Sequence, residues 1–248
     1  MSGKTRARAI IAILGGIAVG GAVMLAVAPR PFLPPLPPPP SITAPRGDLP
    51  TGVVAFEERI QAGAEYDLLG SGFCLELPNG QVIGVTTAHS MGGRDFAPMA
   101  FTIAGRGERA ATFSRLRVSR GQPRTGADMT IDHVLLRPDS PPAPAYVLRP
   151  DPRGAPQPGE RVLLYSGLGD GRGGQRILPG VVESVDGNGV WVRMDSVFDP
   201  GLMSGSPVLS QHTGCVVGMT IAMRWKPGAL MIGLNPVGAI LSRAMADH

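Results

Sequence analysis

Asp199-Pro-Gly-Leu-Met-Ser-Gly-Ser-Pro-Val208 is the stretch from which the rest of the chain can be interpreted. Pro200 and Gly201 open a loop that Pro207 closes, and Ser204 stands inside it directly before a glycine. A nucleophilic serine needs such a turn, because the backbone must present the hydroxyl and direct its own N–H at a developing oxyanion. Ser-Gly pairs also occur in ordinary turns, so the stretch gains weight only with a histidine and an acid elsewhere.

A histidine and an acid in matching contexts lie upstream. His89 ends the sequence Thr86-Thr-Ala-His89, directly after an apolar run, and Asp132 comes just before the mainly apolar run 133–136. The histidine must take the proton of the serine, and the carboxylate must fix the histidine tautomer and stabilise its imidazolium form. The chain order His89, Asp132, Ser204 is that of chymotrypsin-type double barrels, whereas subtilisin-type and α/β-hydrolase chains order the three residues differently.

Each member of this candidate triad also has an ordinary structural interpretation. A histidine at a strand end is commonly an exposed polar residue, Asp132 could satisfy local backbone donors, and Ser204 could belong to a plain turn. Asp128 competes for the acid role, and we favour Asp132 because the apolar run follows it immediately. Three unrelated structural roles that happen to fall in the right order explain the pattern less well than a single catalytic triad does.

From Gly52 onward the chain consists of short apolar runs separated by turn signals. Hairpin turns are indicated at Pro78-Asn-Gly80, at Asp186-Gly-Asn-Gly189 and at Gln211-His-Thr-Gly214. Short strands at such regular spacing predict an all-β barrel or sandwich. Only the end of the chain has the spacing of an amphipathic helix. Its apolar face comprises Val237, Ile240, Leu241, Ala244 and Met245.

The composition argues against nucleic-acid binding and against a metal site. The formal net charge is +4, but the arginines are scattered and aromatic residues make up only 5%, so no basic stripe with stacking residues exists. Cys74 and Cys215 form no C-x-x-C pair, and four histidines give no zinc-ligand spacing. We expect two buried free thiols. An exported compartment would also permit a bridge between them.

Residues 9–28 form an uncharged apolar run that would make about 30 Å of helix, the thickness of a hydrocarbon core. Basic side chains in residues 1–8 predict a cytoplasmic N-terminus and export of the chain after residue 28. A cleaved signal peptide is the competing interpretation, since Ala26-Val-Ala28 resembles a cleavage site, but Pro29 would follow the cut. We expect a single-pass anchor in a bacterial inner membrane, with the catalytic domain in the periplasm or extracytoplasmic space.

Residues 29–50 are rich in proline and include Pro34-Pro-Leu-Pro-Pro-Pro-Pro40. Such a segment lacks backbone donors and prefers the extended polyproline II geometry. We therefore expect a semi-rigid linker over residues 29–50, followed by a folded domain over residues 51–248.

Several motifs in this domain resemble those of bacterial trypsin-like serine peptidases. They are Gly70-Ser-Gly-Phe73, Thr87-Ala-His89, Asp132-x-x-Leu-Leu136, Gly159-Glu-Arg-Val162, Ser204-Gly-Ser-Pro207 and Val216-Val-Gly-Met219. The resemblance runs from about Gly52 to the C-terminal helix and is closest to the protease domain of the high-temperature-requirement type, without a PDZ domain after it.

The resemblance implies a chymotrypsin-like double β-barrel with a C-terminal helix and a serine endopeptidase that acts on polypeptides without a metal or organic cofactor. Ser204 would attack, His89 would transfer the proton, and Asp132 would orient His89. The N–H groups of Leu202 and Ser204 would bind the oxyanion. The family has glycine where this chain has Leu202. A catalytically impaired pseudoprotease that acts as a tethered binding module is therefore the alternative, and an esterase-like hydrolase is another.

The resemblance also places the primary specificity pocket. Its base would lie at Phe198, or at Val197 if the loop is one residue longer, and its walls at Ile221, Ala222 and Met223. Because no acid stands at the base, we expect preference for a small or medium apolar side chain over lysine or arginine. Asp199, one residue further on, is the residue that could reverse this preference.

Overall fold

The computed structural model describes residues 33–92, 94–170 and 174–246. The secondary structure of these ranges lies in the compact unit Pro35–His248. The predicted basic segment (1–8), the predicted anchor (9–28) and the start of the predicted linker lie outside the described residues. Among the residues described, no helix has both the length and the apolar character needed to cross a membrane.

The first barrel is built from an eight-stranded sheet. Its strands are β1 (Phe56–Ala62), β2 (Glu65–Glu76), β3 (Val82–Thr86), β4 (Met99–Thr102), β5 (Arg109–Phe113), β6 (Arg115–Leu116), β7 (Val134–Arg137) and β8 (Val147–Leu148). They follow the order β5-β4-β1-β2-β3-β7-β6, and β8 pairs in parallel with β2. A one-turn helix, α1 (Ala88–Met91), follows β3 directly.

The second barrel is closed, in the order β10-β11-β14-β13-β12-β9. Its strands are β9 (Arg161–Gly169), β10 (Gln175–Asp186), β11 (Gly189–Met194), β12 (Pro207–Ser210), β13 (Val216–Lys226) and β14 (Ala229–Pro236). Helix α2 (Val237–Met245) ends the described chain, and its buried side chains are Val237, Ile240 and Ala244. The predicted all-β double barrel with a C-terminal helix is confirmed.

The three predicted hairpin turns connect β2 to β3, β10 to β11, and β12 to β13. Gly80 and Gly214 adopt the left-handed backbone conformation, with φ of 79° and 67°, that favours glycine in such turns.

Cys74 and Cys215 are both free thiols, with Cys74 buried and Cys215 half-buried. Burial raises the pKa of the Cys74 thiol to about 12, so it stays protonated in the core of the first barrel.

One cluster of buried apolar side chains joins the two barrels. It contains Phe73 and Leu135 from the first barrel, Leu209 and Met219 from the second, and Ile240 from α2. Burial of these side chains holds the two barrels against each other. Residues at the rim of this shared core can therefore face one another across the junction.

The second half of the predicted linker is packed on the second barrel, which differs from the expected spacer. The N–H of Gly47 donates to the carbonyl of His212 at 3.1 Å, and the His212 Nε2 contacts the carbonyl oxygen of Ala44 at 2.8 Å. Leu49 packs against the core shared by the barrels. The packed part of the domain thus begins before Thr51, because backbone groups of this segment find partners on the barrel surface.

A pair of glycine substitutions tests this packing. Gly214 has φ of 67°, and a Cβ there would stand 2.2 Å from the carbonyl oxygen of Asp48. Gly63 has a nearly equal φ of 63° but open space around it. Gly63→Ala should lower the free energy of unfolding by about 1 kcal/mol through backbone strain alone. Gly214→Ala should lower it by about 2–4 kcal/mol, because the packed segment around Gly47 and Asp48 must also move. Urea denaturation of both variants measures the difference, and equal losses would contradict the packing.

Candidate active site

His89, Asp132 and Ser204 lie in one line of hydrogen bonds at the junction of the barrels. The Asp132 Oδ2 is 2.8 Å from the His89 Nδ1, and the His89 Nε2 is 2.8 Å from the Ser204 Oγ. The structure therefore brings together the three side chains that the sequence predicted, although they are up to 115 residues apart in the chain.

The fold explains how these side chains meet. Strands β3 and β7 pair with Thr86 opposite Val134, so the end of β3 lies beside the start of β7. His89 follows β3 on α1, and Asp132 lies two residues before β7. Ser204 comes from the second barrel, on the loop between β11 and β12. The site is thus assembled from both barrels.

The carboxylate of Asp132 is fully buried and fully hydrogen-bonded. Its Oδ1 accepts the backbone N–H groups of Ala88 and His89 at 2.9 and 3.0 Å, and its Oδ2 accepts that of Arg124 at 3.1 Å in addition to the His89 ring. Desolvation opposes ionisation, but these donors outweigh it and hold the pKa of Asp132 below its ordinary value. An ionised Asp132 requires the proton of the imidazole on Nδ1, which leaves Nε2 as the acceptor for the Ser204 hydroxyl.

Asp128, the competing acid, has a different role. Its Oδ1 accepts the backbone N–H and the hydroxyl of Thr130, at 2.8 and 2.7 Å. These two bonds lower the pKa of Asp128 and fix the turn that precedes Asp132. The choice of Asp132 over Asp128 as the partner of His89 therefore agrees with the geometry.

The loop that carries Ser204 contains the one non-glycine residue with positive φ within the described ranges, Leu202, at 59°. The N–H of Met203 donates to the carbonyl of Pro200 at 3.1 Å and closes a turn around it. A left-handed leucine costs about 1–2 kcal/mol, so the surrounding contacts must enforce this conformation. Within the described part of the chain, the N–H groups of Leu202 and Ser204 have no acceptor.

Ser71 of β2 supplies the contacts that hold Leu202 in its left-handed conformation. Its N–H donates to the carbonyl of Ser204 at 2.8 Å, and its hydroxyl donates to the carbonyl of Leu202 at 3.0 Å. The Ser71 carbonyl in turn accepts the hydroxyl of Thr86 at 2.9 Å. Gly205 passes so close that a Cβ there would be 1.8 Å from the Ser71 oxygen. The role of Ser71 was not predicted from the sequence, because the only signal there was the position of this serine between two glycines.

A cavity of about 130 Å³ opens beside Ser204. Its lining consists of Pro200, Ser204, Thr220, Ile221, Ala222, Met223 and Ile232. The wall is mainly apolar, and none of the described residues that line it is acidic. Asp199 is not among the lining residues, and its Oδ1 accepts the backbone N–H of Gly201 at 2.9 Å.

Residues 70–219 match the family description "Trypsin-like peptidase domain", a range that contains all three members of the hydrogen-bonded line. The chain belongs to this family. The predicted enzyme class, serine endopeptidase, is confirmed with it. Comparison with curated protein sequences gives no match.

Solved structures show the same fold. A serine endoprotease from Yersinia pestis aligns over 80% of this chain and 65% of its own, with a TM-score of 0.52 and 16% identity. The chain thus spans about two thirds of the length of that endoprotease. Kallikrein-related peptidase 10 aligns over 80% of this chain and 95% of its own, with a TM-score of 0.54 and 17% identity. The thermostable serine protease AL20 from an extremophilic microorganism aligns over 78% of this chain and 96% of its own, with a TM-score of 0.52 and 14% identity.

Within this trypsin-like peptidase, one predicted pocket residue lies elsewhere. Ile221, Ala222 and Met223 line the cavity beside Ser204, but Phe198 does not. The Phe198 ring packs in the core of the second barrel, with the guanidinium of Arg176 stacked 5.1 Å from its centre. The predicted base at Phe198 is therefore corrected: a large apolar side chain one residue before Asp199 is buried in the barrel core rather than in the cavity wall.

Ser71→Ala tests the support of the loop between β11 and β12 that carries Ser204, which we call the nucleophile loop. Loss of the hydroxyl removes the bond to the Leu202 carbonyl and loosens the turn, so kcat for a peptide substrate should fall about tenfold, with little change in KM. Ser140→Ala, at an exposed serine, is the control and should leave both constants unchanged. Steady-state kinetics measure the effect. An unchanged kcat in Ser71→Ala would show that the loop keeps its shape without this bond.

Proposed function

We propose that the protein is a membrane-anchored serine endopeptidase that cleaves peptide bonds through an acyl-enzyme on Ser204. The observation that carries the proposal is the unbroken line of 2.8 Å contacts from the buried Asp132 carboxylate through His89 to the Ser204 hydroxyl. A hydroxyl becomes a competent nucleophile when an adjacent base can accept its proton and a third group orients that base.

The reaction follows from the proton positions. The His89 Nε2 takes the proton of Ser204 as its oxygen attacks the substrate carbonyl carbon, and the anionic Asp132 stabilises the resulting imidazolium. The tetrahedral intermediate collapses when His89 passes that proton to the leaving amine nitrogen. The acyl group remains on Ser204, and water activated by the same imidazole then releases it as a carboxylic acid.

The proposed oxyanion donors are the N–H groups of Leu202 and Ser204. Both are free of acceptors within the described ranges, so a substrate oxygen can use them. Leu202 occupies the left-handed conformation for which glycine is best suited, and the bond from Ser71 favours that conformation. The leucine at this position is therefore compatible with a donor to the oxyanion, which favours an active enzyme over the impaired alternative.

The cavity beside Ser204 supports a preference for small or medium apolar side chains before the cleaved bond. Its volume is about 130 Å³, and its apolar lining residues are Pro200, Ile221, Ala222, Met223 and Ile232. A lysine or arginine side chain in such a wall would lose its hydration without gaining a carboxylate partner. We propose cleavage after residues such as alanine, valine or leucine.

The anchor is proposed from the sequence: residues 9–28 hold the peptidase on a bacterial inner membrane, with the barrels outside the cytoplasm. In membrane fractions, the full-length chain should resist extraction by alkaline carbonate. A variant without residues 9–28 should be recovered in the soluble fraction. Recovery of the full-length chain in the carbonate extract would argue against the anchor.

Fluorophosphonate labelling tests the triad. The full-length protein in detergent should react at Ser204, and Ser204→Ala should abolish the label. Asp132→Asn should lower kcat by about 10⁴-fold, because the wrong histidine tautomer is then favoured. Asp128→Asn is the matched control and should change kcat only a few-fold, because Asp128 contacts Thr130 and not His89. Equal effects of the two aspartate substitutions would remove Asp132 from the mechanism.

Two substitutions at Leu202 test the oxyanion donor. Leu202→Pro removes the N–H and cannot adopt positive φ, so kcat should fall by about 10²–10³-fold. Leu202→Gly keeps the N–H and favours the same backbone conformation, so kcat should stay within a few-fold of the parent. Kinetics on a peptide ester and on a peptide amide measure both. A Leu202→Pro enzyme with undiminished kcat would exclude this N–H as a donor.

A further inference from the structure

Glu58 is a fully buried carboxyl group with no role in the triad. It lies on β1 with 0% of its surface exposed, between the buried residues Phe56 and Ile60 of the same face. Neither carboxyl oxygen has a hydrogen-bond partner among the described residues. A carboxylate that is buried without a partner is costly, whereas the neutral acid is tolerated far better.

This carboxyl lies directly behind the nucleophile loop. Glu58 pairs with Gly70 of β2, and a Cβ built on Gly70 would be 3.2 Å from the Glu58 Oε2. The same point is 3.0 Å from the carbonyl oxygen of Ser204 and 3.2 Å from the Ser90 hydroxyl. The absence of a side chain at Gly70 thus lets the Glu58 carboxyl, the helix that bears His89 and the backbone of Ser204 converge on one small space.

The convergence matters because Gly70 precedes Ser71, the residue that holds the loop. The Gly70–Ser71 peptide presents its N–H to the Ser204 carbonyl, at 2.8 Å. A negative charge on the Glu58 Oε2 would act on this peptide and on the Ser204 carbonyl oxygen, whose own partial charge is negative. In a buried setting such repulsion is weakly screened.

Within the described part of the chain, the surroundings of Glu58 offer no compensating charge. The groups that face it are Gly70 of β2, Thr86 of β3, Ser90 of α1 and the Ser204 backbone, all uncharged. Phe101 of β4 lies opposite it in the sheet. The titratable groups on these elements include Cys74 of β2, buried in the same apolar cluster as Phe56 and Ile60, and His89 of α1. The two ring nitrogens of His89 contact Asp132 and Ser204. Burial raises the pKa of Glu58 to about 8, and the nearby Thr86 hydroxyl lowers it only in part, since that hydroxyl donates to the Ser71 carbonyl.

We propose that Glu58 is a positioning residue for the nucleophile loop. As a neutral acid, Glu58 supports the active conformation of this loop, and when Glu58 ionises it displaces Ser204 from His89. This proposal rests on the proposed function of Ser204 as nucleophile. The activity of the peptidase would then have a reversible upper pH limit. The group that sets this limit, the Glu58 carboxyl, lies behind the active site and does not touch substrate.

The pH dependence of kcat tests the proposal. For the full-length protein in detergent, kcat on an uncharged peptide ester should fall about tenfold between pH 7 and pH 9 and recover when the pH is returned to 7. Glu58→Gln, which has the same shape and no ionisation, should retain kcat at pH 9. Glu57→Gln is the matched control, because that neighbouring carboxylate pairs with Arg59 instead, and should keep the fall of the parent. A fall in Glu58→Gln equal to that of the parent would overturn the proposal.

Thermal unfolding gives a second readout that does not depend on activity. Because the pKa of Glu58 is raised from 4.5 in the folded state, its contribution to stability is complete below about pH 4.5 and is lost as the pH rises towards 8. The Tm of Glu58→Gln relative to the parent should therefore increase from pH 5 to pH 8. Glu58→Met, an apolar replacement, should show the same trend. A Tm difference that is constant with pH in both variants would contradict a neutral Glu58.

The two readouts separate this inference from the proposed function. If fluorophosphonate labels no residue at pH 7, the catalytic proposal fails, while the pH-dependent Tm difference still reports on Glu58. If labelling at Ser204 is normal and its rate in Glu58→Gln declines with pH as in the parent, Glu58 is a structural acid only and the catalytic proposal stands.

Discussion

Three polar groups from two barrels must meet within hydrogen-bond distance, and this constraint governs the structure. His89 and Asp132 are fixed within the first barrel by the pairing of β3 with β7. Ser204 belongs to the second barrel, and the 2.8 Å bond from the Ser71 N–H to its carbonyl ties it to the first. The apolar core that both barrels share keeps the junction closed, and the Ser71 contact sets the position of the nucleophile within it.

The buried carboxylate of Asp132 shows how the same junction handles charge. Several hydrogen-bond donors converge on it, so the ionised form is stable despite full burial. Glu58, behind the same site, has no hydrogen-bond partner among the residues that the structure describes and is driven towards its neutral form. Two buried carboxyl groups thus differ in ionisation because their hydrogen-bond environments differ, which is the usual way in which a protein separates the roles of like side chains.

Much of this arrangement could be predicted from the sequence, because its signals are local. Turn chemistry at Gly80 and Gly214 marked the hairpins, and the apolar run after Asp132 distinguished it from Asp128. Contacts between distant residues left no such signal. The bond from Ser71 to Leu202 spans 131 residues, and the packing of the Gly47 region on His212 depends on a surface that exists only in the folded barrel. The alternation of Phe56, Glu58 and Ile60 could have indicated that Glu58 points inward.

The most direct test of the account is to trap the acyl-enzyme. The protein is mixed with a slowly deacylating ester of a small apolar acyl group, quenched in acid, digested and analysed by mass spectrometry. One added acyl group is expected on the peptide that contains Ser204, and none in Ser204→Ala. Peptide cleavage that persists at the parent rate in Ser204→Ala, or an acyl group found on another residue, would contradict it.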